Sequence, residues 1–158
     1  MRRELLEGNK ERGLKLCDFS LVDKRPVVLV MGGSLGAKKI NDLIIMSLPV
    51  LMKDYRVIHL TGKGKEQALS EQNLGGSYKA FSYVDQELKD LFAATDLIVS
   101  RAGANAIFEF LALKKPMLLI PLQEGSRGDQ VHNAESFVKS GFARLLFEKD
   151  ASSETLKG

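Results

Sequence analysis

Cysteine and histidine are nearly absent from this chain. A single cysteine, Cys17, leaves no partner for an internal disulfide, and the two histidines, His59 and His132, cannot complete a zinc set with it. A reducing, cytoplasmic setting is therefore expected. No apolar run approaches the roughly 20 residues that cross a bilayer, and the opening Met-Arg-Arg-Glu-Leu-Leu-Glu lacks the apolar core of a signal peptide. Excess charge of one sign is missing too: 23 basic residues stand against 20 acidic ones, for a net charge of +3, so nucleic acid is not expected as a partner. Neither G-x-G-x-x-G nor G-x-x-x-x-G-K-[ST] occurs, which excludes the dinucleotide fingerprint and the Walker loop. There is no D-x-D pair of the kind that can hold a metal ion. With 158 residues, 44% of them hydrophobic, one α/β domain is expected.

What is present begins with Val27 to Ala37, Val-Val-Leu-Val-Met-Gly-Gly-Ser-Leu-Gly-Ala, an apolar β-type run emptying into a glycine-rich turn. Glycine lets backbone amides approach an anion closely, Ser34 adds a hydroxyl donor, and helical periodicity starts at Lys38, which would place the anion on a helix N-terminus. The other reading is a plain tight strand-to-helix turn. Further β-type runs lie at Val57 to Leu60, Tyr78 to Phe81, Leu97 to Val99, Met117 to Ile120 and Ala143 to Phe147. Between them, Ile40, Leu43, Ile44, Leu48 and Leu51 mark one helix, Leu88, Leu91 and Phe92 a short one, and Ile107, Phe108, Leu111 and Ala112 another. Such alternation predicts a Rossmann-like parallel β-sheet with helices on both faces, and ligands in such sheets bind beyond the carboxyl ends of the strands.

Four loops follow strands in the right place: Gly32 to Ala37, Thr61 to Lys65, Ser100 to Ala104 and Pro121 to Asp129. The Ser-Arg-Ala-Gly-Ala loop enters a helix that carries Glu109 in its first two turns. That carboxylate is of a kind to hold both hydroxyls of a ribose, or else simply complements the helix dipole. Arg101 faces a phosphate or pairs with an acid. Asp129 reads as an N-cap. Gln130 and Asn133, three apart on one helical face, suit a sugar's hydroxyls and acetamide, or are solvated helix residues. His132 has no acid or nucleophile beside it and reads as structural or exposed. The Thr61 to Lys65 segment lacks the Walker spacing and reads as a solvated turn. Residues 1–24 are charged and weakly periodic, like a strap or interdomain connection, which leaves 25–158 as the binding domain. Ser152 or Ser153 with Glu154 resembles the cap of a helix that is cut off after one turn.

Taken in order, Gly-Gly-Ser-Leu-Gly-Ala, Tyr83-Val84-Asp85, Ser100-Arg101-Ala102-Gly103-Ala104 with Glu109, and Asp129-Gln130-x-x-Asn133-Ala134 resemble the MurG family of bacterial peptidoglycan glycosyltransferases, family 28. The resemblance covers nearly the whole chain. It implies the C-terminal half of a two-domain GT-B enzyme that moves N-acetylglucosamine from UDP-GlcNAc onto lipid I, giving lipid II, at the inner face of the cell membrane, with the lipid acceptor held by an N-terminal domain not in this chain. Carried over by position, Gly33, Ser34, Gly36 and Arg2 would hold the diphosphate and the Val84 backbone would read uracil. Glu109, with Asn105 and Ala106, would hold the ribose, and Asp129, Gln130 and Asn133 the GlcNAc. The chain departs from the family pattern at Asn105, Ala106 and Asp129. No catalytic residue, cofactor or metal is expected in this half. Two alternatives are another UDP-sugar GT-B protein such as a UDP-GlcNAc epimerase, whose catalytic acids are not evident here, and a nucleotide-binding module without chemistry.

Overall fold

The computed structural model describes residues 3–31, 37–62, 77–81, 84–102, 104–121, 129–141 and 143–147. A 3-10 turn at Arg3–Glu7 and helix α1 (Lys10–Leu16) precede strand β1 (Val27–Met31). Then come α2 (Ala37–Leu51), β2 (Arg56–Leu60), β3 (Tyr78–Phe81), α3 (Leu88–Ala94), β4 (Leu97–Ser100), α4 (Ala104–Ala112), β5 (Met117–Leu119), α5 (Asp129–Lys139) and β6 (Ala143–Leu145). The strands form one sheet in the order β3-β2-β1-β4-β5-β6, every pairing parallel. The chain steps outward from β1 through β3 on one side, then returns to β4 on the other. The strand order therefore reverses between β1 and β4, which opens a crevice at their carboxyl ends.

Alternation along the strands sorts the core into two layers. Val28, Val30, Val57, Val99 and Ile120 face α2, whose Ile40, Ile44, Leu48 and Leu51 cover them. Val27, Leu29, Ile58, Ile98, Met117 and Leu119 face the other side, under α3, α4 and residues of the N-terminal segment. Phe92 and Phe110 meet edge-on there with centroids 6.0 Å apart. Both are fully buried, worth about 1.5–3 kcal/mol each.

Beyond shifts of one residue at the ends of β4 and β5, three details differ from the sequence reading. Strand β2 starts at Arg56, one residue before the apolar run. A buried cation is tolerated because its guanidinium donates to the carbonyls of Ser20 and Arg25 and lies 5.5 Å over the Phe19 ring. On α4 the inward aromatic is Phe110, whereas Phe108 is 57% exposed and rests edge-on against Phe137 of α5. Strand β6 stops at Leu145, short of the run to Phe147.

The N-terminal segment, read as a strap or connection, is packed onto the domain. Asn9 caps α1 by accepting from the Arg12 amide at 2.9 Å. Leu5, Leu14, Cys17 and Phe19 are buried in the core layer that holds α3. Gly8 and Gly13 let α1 and the turn before it lie directly on the α3 backbone at Lys89 and Asp90. The Asp90 carboxylate accepts from the Asn9 amide at 2.8 Å and pairs with Arg12 at 3.3 Å.

Candidate functional site

The carboxyl edge is assembled from strand ends and the helices that follow them. At the end of β4, Ser100 Oγ donates to the Arg101 carbonyl at 2.9 Å. Arg101 is buried, and its Nη1 donates to the carbonyls of Ile120 at 3.2 Å and Pro121 at 3.4 Å. The guanidinium thus pins the end of β5 to the loop after β4. Sequence reading offered phosphate or an acid as its partner; these backbone carbonyls, far along the chain, were not foreseen.

The next residue, Ala102, is held on both sides. Gln130 Oε1 accepts from the Ala102 amide at 3.3 Å, and Asn133 Nδ2 donates to the Ala102 carbonyl at 3.2 Å. Ala102 is fully buried. The spacing that puts Gln130 and Asn133 on one face of α5 makes them a bracket around one residue, gripping the peptide groups on either side of Ala102. It ties the start of α5 to the loop that opens α4. Two helix N-termini, each a positive dipole end, are thereby tied to one another through Ala102.

The residues singled out in the sequence are distributed around this edge as follows. Glu109 lies on α4 in its second turn and is half-buried. Asn105 and Ala106 occupy the first turn of α4, their side chains outside the described part. Asp129 is the first helical residue of α5, so the helix begins on it rather than after it; its side chain is likewise outside. Val84 sits between β3 and α3, partly buried against the core. Arg2, Gly33, Ser34 and Gly36 lie outside the described residues, as does all of the Thr61 to Lys65 loop beyond Gly62 and the proposed cap at residues 152–154. Thr61 itself is buried and Gly62 has φ of +97°. His132 is exposed. Among the described residues, no group of three or more His, Cys, Asp or Glu side chains is placed to hold a metal, and no helix is long and apolar enough to cross a membrane.

Sequence reading missed one polar group. His59, Asn41 and Tyr78 are buried together on the α2 side of the sheet. Burial pushes the His59 ring down to about 4, and the Tyr78 hydroxyl up to about 12. The signal was available in parity: His59 shares the face of Val57, and Asn41 falls on the apolar stripe of α2 beside Ile40 and Ile44.

Comparison with known proteins agrees with this architecture. The crystal structure of Acinetobacter baumannii MurG superposes with a TM-score of 0.74 over 97% of this chain and 44% of that one, at 22% identity. The two share a Rossmann-like fold of the GT-B type. Residues 27–158 match the model of the glycosyltransferase family 28 C-terminal domain, and the chain belongs to that family. It is 53% identical over 157 residues to proteins of Geobacillus thermodenitrificans and Bacillus cereus. Both are named UDP-N-acetylglucosamine–N-acetylmuramyl-(pentapeptide) pyrophosphoryl-undecaprenol N-acetylglucosamine transferase, the second with the number 2. The match covers 99% of this chain but 43% and 44% of theirs, so the chain spans under half the length of these relatives.

Proposed function

We propose that this chain is the donor-binding half of the enzyme that transfers N-acetylglucosamine from UDP-GlcNAc to undecaprenyl-pyrophosphoryl-N-acetylmuramyl pentapeptide. The observation that carries the reading is the crevice between β1 and β4, with α2 and α4 starting beside it, in a chain 53% identical to enzymes named for that reaction. In this reading the amides at Gly33, Ser34 and Gly36, with Arg2, hold the diphosphate. Val84 backbone reads uracil, and Glu109, beside Asn105 and Ala106, accepts from the ribose hydroxyls. Asp129, Gln130 and Asn133 hold the sugar. Because the Nδ2 of Asn133 is committed to Ala102, its Oδ1 is the atom that would accept from a sugar hydroxyl.

Transfer in this scheme is a single displacement with inversion at the anomeric carbon. The acceptor oxygen bonds to carbon as the bond to the diphosphate breaks, and UDP departs with the electron pair. Negative charge then grows beside two helix ends, which are oriented in advance and, together with the loop amides, would stabilise it electrostatically with no metal in this domain. Acceptor binding, removal of the acceptor proton and contact with the cytoplasmic membrane surface belong to the remaining part of the enzyme. Nucleic acid has no part in the scheme. Ser34→Ala tests the phosphate assignment: losing a hydroxyl bond to a charged group costs about 1.5–3 kcal/mol. UDP should weaken tenfold or more while uridine is unaffected, and equal losses would place Ser34 elsewhere.

A further inference from the structure

The proposed donor site makes no use of the buried group Asn41, His59 and Tyr78, and its hydrogen bonds can be directed without ambiguity. The Thr61 carbonyl can only accept, so the atom of Asn41 that meets it at 3.0 Å is the Nδ2 donor. Asn41 Oδ1 then faces His59 Nε2 at 2.8 Å, which places a proton on that nitrogen. The neutral ring has only Nδ1 left to accept, and it takes the Tyr78 hydroxyl at 2.9 Å. The chain of donors runs one way, from Tyr78 through His59 and Asn41 to the Thr61 carbonyl.

Its far end is where it matters. Asn41 is the fifth residue of α2, directly behind the helix's N-terminal turn. Thr61 follows the last residue of β2 and is tied to the neighbouring strand, its amide donating to the Phe81 carbonyl at 2.9 Å. Apolar contacts by Ile40, Ile44 and Leu48 hold α2 on the sheet but tolerate small slides and rotations. A directed bond between Asn41 and Thr61 does not.

We infer that Asn41 is a positioning residue, which sets the N-terminal turn of α2 at the carboxyl edge of the sheet and, given the donor-site reading above, thereby aims that helix end at the diphosphate. Tyr78 and His59 support it from behind. Removing the Tyr78 hydroxyl should cost stability alone, whereas removing the Asn41 donor should loosen the start of α2.

Amide hydrogen exchange and UDP titration on the 158-residue chain separate these roles. In Asn41→Leu and in Asn41→Asp, which keeps the acceptor for His59 but cannot donate to Thr61, amides 41–43 should exchange at least tenfold faster while amides 47 and 48 change less than twofold. Tyr78→Phe and His59→Gln, whose amide reaches the Nε2 position, should leave the start of α2 as in the parent. UDP should bind about tenfold more weakly to either Asn41 variant, with uridine within twofold. Equal acceleration along all of α2 in both Asn41 variants would mean a merely structural role and would overturn the inference. Unchanged UDP affinity in a variant whose amides 41–43 have loosened would overturn its link to the donor. Absence of UDP binding by the parent chain would instead count against the donor-site reading, with the exchange pattern still deciding the position of Asn41.

Discussion

Gly13→Ala sets two effects of opposite sign against each other. Gly13 lies inside α1, where alanine is intrinsically favoured by about 1 kcal/mol, so on propensity alone the substitution stabilises. The tertiary contact opposes it. A Cβ at this position would overlap the Asp90 carbonyl oxygen and stand 2.8 Å from its carbon and 2.9 Å from Ala94 Cβ. Most of the obstacle is α3 backbone, which cannot rotate away, so α1 has to retreat by about an ångström to recover ordinary contact distances. Retreat also pulls on buried Leu14 and Cys17 and on the Asp90 bonds to Asn9 and Arg12. Overpacking of this kind costs typically 1–3 kcal/mol and occasionally more. Because the overlap is with backbone, the cost falls at the upper end, about 3 kcal/mol, and against the propensity gain a net loss of about 2 kcal/mol is expected. For a domain of this size that lowers Tm by about 4–8 °C. Calorimetry or far-ultraviolet melting reads it, with exposed Lys15→Ala on the same helix as a control that shifts by about 1–2 °C at most. A Tm for Gly13→Ala equal to or above the parent's would refute the close packing of α1 on α3.

Stability should fall on mild acidification because His59 is held neutral at about 4 from an ordinary 6.5. The unfolded chain takes up a proton that the fold refuses, so this contribution is whole above pH 6.5 and is lost progressively towards pH 4, to a total of about 3 kcal/mol. Urea midpoints at pH 7.5, 6 and 5 should show the loss in the parent and not in His59→Gln; parallel curves would contradict it. Asp23, lowered to about 2 by its bonds from Arg25, loses its contribution only below pH 4 and does not mimic the effect. Glu109→Gln should weaken UDP about tenfold and erase most of the parent's discrimination against 2′-deoxy-UDP. Discrimination that survives unchanged would make Glu109 a helix-terminus charge with no ribose contact.

The strands were legible because parallel strands buried on both faces read as continuous apolar runs, and the alternation with helices gave the doubly wound sheet. What escaped depended on partners remote in sequence. Arg56 could open a buried strand only because carbonyls at Ser20 and Arg25 receive its guanidinium. Charge and weak periodicity gave residues 1–24 the look of a strap or connection, whereas the fold uses Gly8 and Gly13 there to bring α1 against Lys89 and Asp90. At the carboxyl edge, the shared face of Gln130 and Asn133 was readable from their spacing. Their common grip on Ala102, 28 and 31 residues earlier, was not. Periodicity put Phe108 on the core side of α4, and the structure seats Phe110 there.

Titration of the 158-residue chain with UDP-GlcNAc, UDP, NADH and ATP tests the donor-binding account most directly. Saturable binding of UDP-GlcNAc and UDP, with NADH and ATP at least a hundredfold weaker, is the predicted result. Tighter or equal binding of NADH or ATP, or no binding of either uridine ligand, would contradict it.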